Sequence, residues 1–299
     1  MTPSALPTAP IPDLKEIVAL RHHLHQHPEL SGSEFETSHT LQNYLQRYQP
    51  DEIVTGLGGT GFAAIFHGKE SEAGPTVVFR AELDALPILE RNELPYTSIH
   101  NGISHKCGHD GHMATLAGLA SMLNHRPLAR GRVVLLFQPA EETGAGAWAV
   151  RHTSAFQGIA PDYVFALHNM PGLPMGQVLV RSDIFAAASV GLQVKLYGKE
   201  SHAAEPENGL NPGEGMSELI NALNALVRDQ QNFQELTLLT VVHARLGEVA
   251  FGTNPGFATV MATLRAFEQE DLNQLKSFAI ASVQSVSAKH GLQYEFEWV

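Results

Sequence analysis

The single cysteine of the chain lies in the stretch that is richest in metal-binding side chains. Cys107 is followed by His109 and His112 in the sequence Cys-Gly-His-Asp-Gly-His. One cysteine among 299 residues cannot form an internal disulfide, so its thiol is available for other chemistry. Thiolate and imidazole are strong ligands for zinc and related divalent metals. The spacing therefore indicates a metal site at Cys107 and His109, whereas we expect His112 to be structural.

Oxygen donors and a further nitrogen donor follow this motif in the chain. Glu141 and Glu142 are adjacent, and His168 lies in the sequence Ala-Leu-His-Asn-Met. One carboxylate can bind a metal while its neighbour accepts a proton from a water molecule. The full donor set therefore predicts a metal-dependent hydrolase.

Each of these residues has a plainer interpretation when it is taken alone. A lone cysteine is most often a buried structural thiol, and His168 is compatible with a hydrogen-bonded histidine at a strand end. Glu141 and Glu142 are compatible with a helix cap, since carboxylates favour helix N-termini. The presence of all these donors in one chain favours the metal site over separate structural roles.

Composition places the chain among ordinary globular proteins and argues against some partners. Hydrophobic residues make up 43% and charged residues 17% of the sequence. The 31 acidic and 19 basic residues give a net charge of −12, which argues against nucleic acid. No apolar run approaches the ~20 residues of a membrane span, and residues 1–10 lack a signal-peptide pattern. We therefore expect a cytoplasmic protein without membrane contact and with a frayed leader.

The first part of the chain alternates between predicted helices and strands. Asp13 is predicted to cap a helix that Pro28 ends, and Ser33 and Glu36 form a capping-box pattern at the start of a second helix. A third helix is predicted over 111–123. Strands are predicted over 61–66, 76–80, 132–137 and 162–167. Apolar strands separated by helices indicate an α/β fold with a mostly parallel sheet flanked by helices.

The candidate donors all lie beside the ends of these elements. His168 directly follows one predicted strand, and Glu141 and Glu142 follow another. Cys107 and His109 precede the third helix. Ligands of open α/β sheets collect at the carboxyl ends of the strands. We therefore expect the donors to converge at one edge of the sheet and form a single site.

The sequence pattern changes after residue 183. Residues 189–197 alternate between apolar and polar, as in a half-buried antiparallel strand, and 213–232 has the apolar face of a helix. The next predicted elements are strands over 236–244 and 256–267, a helix over 270–290 and a strand over 292–299. The order β-α-β-β-α-β is that of a ferredoxin-like sandwich. We predict two domains, residues 1–183 and residues 184–299.

Five short motifs contain most of the polar residues with a candidate role. They are Arg80–Ile88, His105–Ala114, Gln138–Glu142, Leu167–Asn169 and Ser201–Ala204. Together they resemble the aminoacylase/carboxypeptidase-type family of dinuclear metallopeptidases. They are most similar to its amidohydrolase branch, which contains hippurate hydrolases, N-acyl-amino-acid amidohydrolases and plant auxin-conjugate hydrolases. The motifs occur in the family's order, and the resemblance spans nearly the whole chain.

The resemblance implies a metal centre and the residues that bind it. It implies two divalent ions, with Zn, Mn, Co and Ni all compatible with S, N and O donors. The implied ligands are Cys107, His109, Glu142 and His168.

The resemblance also implies catalytic and substrate-binding residues. Glu141 is implied as the general base that carries a proton from water to the leaving nitrogen, and Asp84 as a carboxylate that orients a ligand. His202 is implied to stabilise the oxyanion from an inserted lid domain, in the active site of a partner subunit. Arg265 and, more weakly, Asn254 are implied to contact a substrate carboxylate. A homodimer formed through the lid follows from the same resemblance.

The chain departs from the family pattern at several positions. Glu82 stands where the family usually has Asp, and Glu200 and Ser201 stand where Gly-Gly usually precedes the lid histidine. Glu207 follows the lid proline, where a second histidine is common. These changes bear on substrate preference. Family members continue beyond the lid and supply a last metal ligand there, so we expect a C-terminally truncated chain that binds metal weakly and hydrolyses poorly.

These observations predict a metal-dependent amidohydrolase. The expected reaction cleaves a hippurate-like N-acyl amino acid, with glycine, alanine or another small residue, into a carboxylic acid and a free amino acid. Two alternatives stay open. One is a catalytically impaired homologue that binds acyl-amino acids or pairs with a full-length partner through its lid. The other is a dipeptidase or carboxypeptidase of the same fold.

Overall fold

The computed structural model describes residues 13–70 and 74–299 of the chain. The leader predicted at residues 1–10 lies outside these residues. The chain forms two compact units, one that ends at Pro174 and one that spans Met175–Val299. The units therefore divide upstream of the boundary that the sequence predicts after residue 183.

The first unit contains a five-stranded sheet with helices on both faces. Asp13 caps the first helix, as predicted, by accepting a hydrogen bond from the backbone N–H of Lys15. The helices are α1 (Leu14–Gln26), α2 (Phe35–Gln46), α3 (His109–His125), α4 (Gly146–Arg151) and α5 (Ser154–Ile159). The strands are β1 (Glu52–Leu57), β2 (Gly61–His67), β3 (Thr76–Glu82), β4 (Arg132–Gln138) and β5 (Tyr163–Ala166).

The sheet of the first unit has the strand order β1-β2-β4-β3-β5. Strand β3 pairs in parallel with both β4 and β5, whereas β2 pairs antiparallel with β1 and β4. The predicted α/β class with flanking helices is confirmed, and the sheet is mixed, because the pairs β1–β2 and β2–β4 are antiparallel while β4–β3 and β3–β5 are parallel. Strand β1 was not predicted, because only Leu57 among its residues is buried and its apolar pattern is weak.

Alternate residues of the central strands enter two separate cores. Phe62 and Phe137 stack with ring centroids 4.6 Å apart in the core that α1, α2 and α3 cover. Ile65 and Val134 point to the opposite face, where they pack with Val150 of α4. Burial on both faces explains the nearly continuous apolar runs in the sequence. The same packing fixes the carboxyl ends of β3 and β4 beside each other.

Helix α2 begins at Phe35 rather than at Ser33. The predicted capping box of Ser33 and Glu36 is wrong, because neither side chain accepts a hydrogen bond from the backbone N–H groups of the first turn. The Glu29 carboxylate accepts hydrogen bonds from the backbone N–H groups of Glu36, at 3.3 Å, and Thr37, at 2.8 Å. These are among the N–H groups that a helix N-terminus leaves without an intrahelical partner.

The second unit contains a four-stranded antiparallel sheet that packs against two helices. The strands are β6 (Ala188–Tyr197), β7 (Ser201–His202), β8 (Thr237–Leu246), β9 (Thr253–Asn254), β10 (Phe257–Ala266) and β11 (Gln293–Trp298), and the helices are α6 (Gly213–Ala225) and α7 (Gln269–Lys289). The strand order of the four-stranded sheet is β11-β6-β10-β8, and β7 and β9 form a separate two-stranded sheet. The predicted β-α-β-β-α-β order is confirmed.

Helices α6 and α7 cover the apolar face of the four-stranded sheet. Leu219 of α6 and Leu275 of α7 are fully buried against Val194 of β6 and Leu264 of β10. Burial alternates along β10, as expected for a sheet with only one apolar face. Within residues 13–70 and 74–299, no helix combines the length and apolar character needed to cross a bilayer.

Candidate metal centre

The candidate donors of the first unit lie where three neighbouring strands end. His168 follows β5, and the pair Glu141 and Glu142 follows β4. Cys107 and His109 lie at the start of α3. Because β4, β3 and β5 run in parallel, their carboxyl ends meet at one edge of the sheet. The structure thus brings the predicted donors together at this edge.

Three groups of donor atoms in the described part of the chain lie close enough to hold a metal ion. Within each group the ligand atoms are all within 4.8 Å of one another, and His109 belongs to every group. The groups are Cys107–His109–His168, His109–Glu141–Glu142 and Glu82–His109–His112. The first two contain the predicted ligands, so the geometry provides two neighbouring donor clusters that share His109.

The His109 ring is oriented for metal binding. Its Nδ1 donates to the main-chain oxygen of Asp84 at 2.7 Å, which directs the lone pair of Nε2 into the site. Nε2 lies 3.8 Å from Glu141 Oε2 and 3.8 Å from Glu142 Oε1. These distances are too long for hydrogen bonds, whereas two donors that share one ion lie roughly 3–4 Å apart.

The charge state of His109 reflects the carboxylates around it. Burial lowers its pKa, but contacts with Asp84 and the charge of Glu82 outweigh burial, so the pKa is raised.

Glu142 Oε1 is buried and has no hydrogen-bond partner among the described residues. A buried acceptor without a donor is costly. The residues present therefore fit a divalent cation.

The Cys107 thiol lies beside the exposed His168 ring. Sγ is 3.3 Å from His168 Nε2. Burial and the negative charge of Glu142 raise the pKa of the Cys107 thiol to about 12. The thiol therefore keeps its proton at neutral pH unless a cation offsets the carboxylates. Gly108 allows this arrangement, because its φ is +98° and an added Cβ would lie 2.5 Å from Asn169 Oδ1.

Asp84 is fully buried and supports the loop with the two glutamates. Its Oδ2 accepts hydrogen bonds from Ser31 Oγ at 2.6 Å and from the backbone N–H of Glu142 at 2.9 Å. Burial raises the pKa of Asp84, but contacts with His109, Ser31 and backbone N–H groups outweigh burial and lower it to about 2. Asp84 is therefore ionised at neutral pH and contacts both His109 and Glu142.

A hydrogen-bond chain behind the site was not predicted from the sequence. Glu82 Oε2 lies 2.7 Å from His112 Nδ1, and His112 Nε2 lies 2.8 Å from Asn169 Oδ1. These contacts fix Asn169 and hence the segment that carries His168. The one sequence signal was the position of His112, three residues after His109 and so on the same helical face, which places its ring near the site without identifying Glu82 or Asn169 as its partners. The structural role expected for His112 agrees with these contacts.

The other predicted site residues lie in the second unit. His202 is exposed in β7, and its Nδ1 accepts a hydrogen bond from the backbone N–H of Ala204 at 3.1 Å. The buried Asn254 amide donates to Ser201 Oγ at 3.0 Å and accepts from Asn211 Nδ2 at 2.8 Å. Arg265 is exposed on β10, in the four-stranded sheet. The structure thus brings His202 and Asn254 onto paired strands and places Arg265 in a different sheet.

A buried charged network connects α1 to the start of α3. His25 Nδ1 lies 3.0 Å from Asp110 Oδ2, and His25 Nε2 lies 3.2 Å from Glu90 Oε1. The hydrogen bond to Asp110 is the largest effect on the pKa of His25, and it raises the pKa against the opposing effect of burial. Among the described residues, the other titratable or charged groups that face this network are Arg21, Lys106, His105 and Tyr96.

We expect His25→Asn to destabilise the chain more at mildly acidic pH than at alkaline pH. The folded-state pKa of His25 is raised, so its charged form stabilises the fold fully below pH ~6.5. This stabilisation is lost as the pH rises through the folded-state pKa. The difference in unfolding free energy between wild type and variant should shrink by at most about 1.4 kcal/mol per pH unit.

Urea unfolding between about pH 6 and about pH 9 measures this difference. His39→Asn is the matched control, because His39 is exposed on α2. A difference between His25→Asn and wild type that is the same at every pH contradicts a charged His25.

Comparison with known families gives one extensive match. Residues 78–298 match the model described as "Peptidase family M20/M25/M40". An N-acetyl-L-cysteine deacetylase of Bacillus subtilis is 39% identical over 289 residues, which cover 95% of this chain and 67% of that protein. An N-acetylcysteine deacetylase of the same organism is 31% identical over 283 residues, covering 94% and 73% of the two chains.

A solved structure shows the same fold. The crystal structure of a dinuclear metal-binding peptidase of the M20 family from Bacillus subtilis superposes with a TM-score of 0.71 at 30% identity. The superposition covers 95% of this chain and 73% of that one. These matches confirm the resemblance seen in the five motifs and the expectation of a hydrolase that acts on amide bonds. The chain belongs to peptidase family M20/M25/M40.

Proposed function

We propose that this chain hydrolyses the amide bond of N-acyl amino acids, and that acetylated amino acids with small side chains are its preferred substrates. The observation that carries this proposal is the Glu141 carboxylate beside two donor clusters that share His109. Two relatives named as deacetylases of N-acetylcysteine support an acetyl group. The alternative to an acetylated substrate is the hippurate-like N-acyl amino acid that the sequence predicts.

The metal centre of this proposal consists of two divalent ions. Cys107, His109, Glu142 and His168 would hold them, and the dinuclear M20 neighbour supports the number. When bound, such ions supply Lewis acidity, which makes a water molecule more acidic and polarises an acyl carbonyl. Zn, Mn, Co and Ni all suit this donor set.

In this proposal Glu141 transfers a proton, and Asp84 keeps the neighbouring side chains in position. In the proposed reaction the Glu141 carboxylate takes a proton from the attacking water, whose oxygen forms a bond to the acyl carbon. Glu141 then passes this proton to the amide nitrogen as the C–N bond breaks, so that a carboxylate and a free amino acid leave. The half-exposed Glu141 side chain can reach a substrate, and Asp84 holds His109 and Glu142 in place.

The second unit supplies the substrate contacts in this proposal. We infer that His202 stabilises the oxyanion in the active site of a partner subunit and that Arg265 binds the substrate carboxylate, since both side chains are exposed. The internal hydrogen bonds of Asn254 favour a structural role over its expected contact with substrate. A homodimer through this unit and a cytoplasmic location stay predictions. Light scattering at several protein concentrations tests the dimer.

A substrate panel tests the proposed function. N-acetyl-alanine, N-acetyl-cysteine, hippurate and the dipeptide alanyl-alanine are each incubated with the metal-loaded chain, and the free amino acid is measured. We expect the highest kcat/KM for the acetyl compounds. A preference for the dipeptide favours the peptidase alternative. Binding without hydrolysis of any compound favours the catalytically impaired homologue and contradicts the proposal.

A further inference from the structure

A buried carboxylate outside the proposed catalytic set contacts the loop that carries Glu141. Glu34 lies between α1 and α2 and has an exposed fraction of 0%. Its Oε1 accepts hydrogen bonds from the backbone N–H groups of Gly32, at 2.9 Å, and Ala140, at 2.8 Å. Its Oε2 accepts one from Thr60 Oγ1 at 2.7 Å. One carboxylate therefore joins three segments that are distant in sequence.

Helix capping does not explain the burial of Glu34. Its side chain makes no hydrogen bond to the first turn of α2, which Glu29 caps instead. No ion-pair partner of Glu34 lies among the described residues. A buried carboxylate without a cation is costly unless hydrogen bonds satisfy it. The three donors that satisfy Glu34 include the amide directly before the proposed general base.

The loop that Glu34 contacts is tightly folded. Ala140 has φ +48°, a left-handed conformation that residues other than glycine seldom adopt. Its carbonyl accepts a hydrogen bond from the backbone N–H of Gly146 at 3.0 Å. A Cβ at Gly146 would clash with the Pro139 carbonyl oxygen. The backbone path into Glu141 therefore depends on contacts that hold Ala140 in this conformation.

Two carboxylates hold the amides on either side of Glu141. Glu34 accepts from the N–H of Ala140, and Asp84 accepts from the N–H of Glu142. We propose that Glu34 is a positioning residue for Glu141, which it fixes beside His109 by holding the preceding amide. This inference rests on the proposed role of Glu141 as the general base.

Three variants separate positioning from folding. In Glu34→Gln, the amide oxygen can accept from both backbone N–H groups while the amide nitrogen donates to Thr60 Oγ1, so the contacts persist without the charge. Glu34→Ala removes them all. We expect Glu34→Ala to lower kcat about 100-fold with KM nearly unchanged, because a small displacement of a catalytic group costs about this much. Glu34→Gln should retain most of the wild-type kcat.

Glu29→Ala is the matched control, since Glu29 is a carboxylate that accepts two backbone hydrogen bonds without contacting the Glu141 loop. It should lower the unfolding midpoint and leave kcat unchanged. If Glu29→Ala lowers kcat as much as Glu34→Ala, the loss reflects general destabilisation and the positioning role is overturned. The same holds if Glu34→Gln is as impaired as Glu34→Ala.

Hydrogen exchange provides a readout that does not need activity. In peptides that cover residues 139–146, Glu34→Ala should exchange faster than wild type, whereas Glu34→Gln and Glu29→Ala should not. Unchanged exchange in Glu34→Ala overturns the proposal. Faster exchange with unchanged kcat overturns the positioning role and leaves the proposed function standing. If the wild-type chain hydrolyses no N-acyl amino acid, the proposed function fails, and exchange alone still decides whether Glu34 holds the loop.

Discussion

Glu141→Gln is expected to lower kcat for an N-acetyl amino acid by about 10²–10⁴-fold while metal binding persists. The amide has the size of the carboxylate but cannot accept and return a proton. The cluster Cys107–His109–His168 does not include Glu141, so this cluster should stay intact. The variant thus isolates proton transfer from metal binding.

Two measurements on the same protein sample check this result. Steady-state kinetics give kcat, and elemental mass spectrometry gives the metal content per chain. Glu142→Gln is the matched control, because it changes the neighbouring carboxylate, which we assign as a ligand, and should lower metal content. If Glu141→Gln retains activity, another group is the base. If it loses metal to the same extent as Glu142→Gln, Glu141 is a ligand.

His109→Ala is expected to weaken metal binding in either donor cluster, because the one free nitrogen of its ring, Nε2, is available to an ion in each. His109 is the one residue shared by all three groups of donors in the described part of the chain. The loss in metal affinity should exceed the 10–100-fold that is typical when only a residue behind a ligand is changed, so it should be more than about 100-fold. Hydrolysis should fall with the metal content.

The comparison with His168→Ala makes this prediction specific. His168 belongs only to the cluster with Cys107 and His109, so His168→Ala should retain more metal than His109→Ala. His152→Ala is a neutral control, because the exposed His152 ring hydrogen-bonds only to a carbonyl within its own helix turn. Thermal unfolding of all the variants checks that they fold. Equal metal loss in the two ligand variants would contradict the shared role of His109.

Much of the fold was predictable, because local pattern specifies it. The apolar runs of β2 and β4 mark strands that are buried on both faces, and the 3.6-residue periodicity marks α1 and α6. The apolar run of β5 also predicted a strand, although the residues of β5 are exposed. Strand β1 has no comparable pattern, because it lies at an edge and buries little of its surface. Its position depends on pairing with β2, which is a tertiary contact.

The candidate site was predictable only where several side chains of metal-binding types occur together in the sequence. Cys107 and His109 stand out because thiolate and imidazole are strong ligands for divalent metals and lie two residues apart here. Glu34 does not stand out, because its partner Ala140 is 106 positions away and is an alanine amide. The same applies to His25, whose partner Asp110 is 85 positions away. Sequence spacing carries no information about such contacts.

The candidate substrate-binding residues were found in a different way from the metal ligands. His202, Asn254 and Arg265 were selected by resemblance, and their surroundings differ. His202 and Arg265 are exposed, whereas the Asn254 side chain is used by hydrogen bonds within its own unit. Resemblance therefore identifies which residues to test, and the contacts of each side chain decide between binding and structural roles.

Metal content and activity, measured on the same samples, show whether hydrolysis by this chain depends on bound metal ions. The wild-type chain is stripped with a chelator, dialysed, and reloaded with Zn²⁺ or Mn²⁺, and metal content and hydrolysis of N-acetyl-alanine are measured on each sample. We predict two ions per chain while free metal is in excess, no hydrolysis by the stripped chain, and a return of slow hydrolysis on reloading. Undiminished hydrolysis by a chain that contains no metal would rule out a metal-dependent reaction at this site.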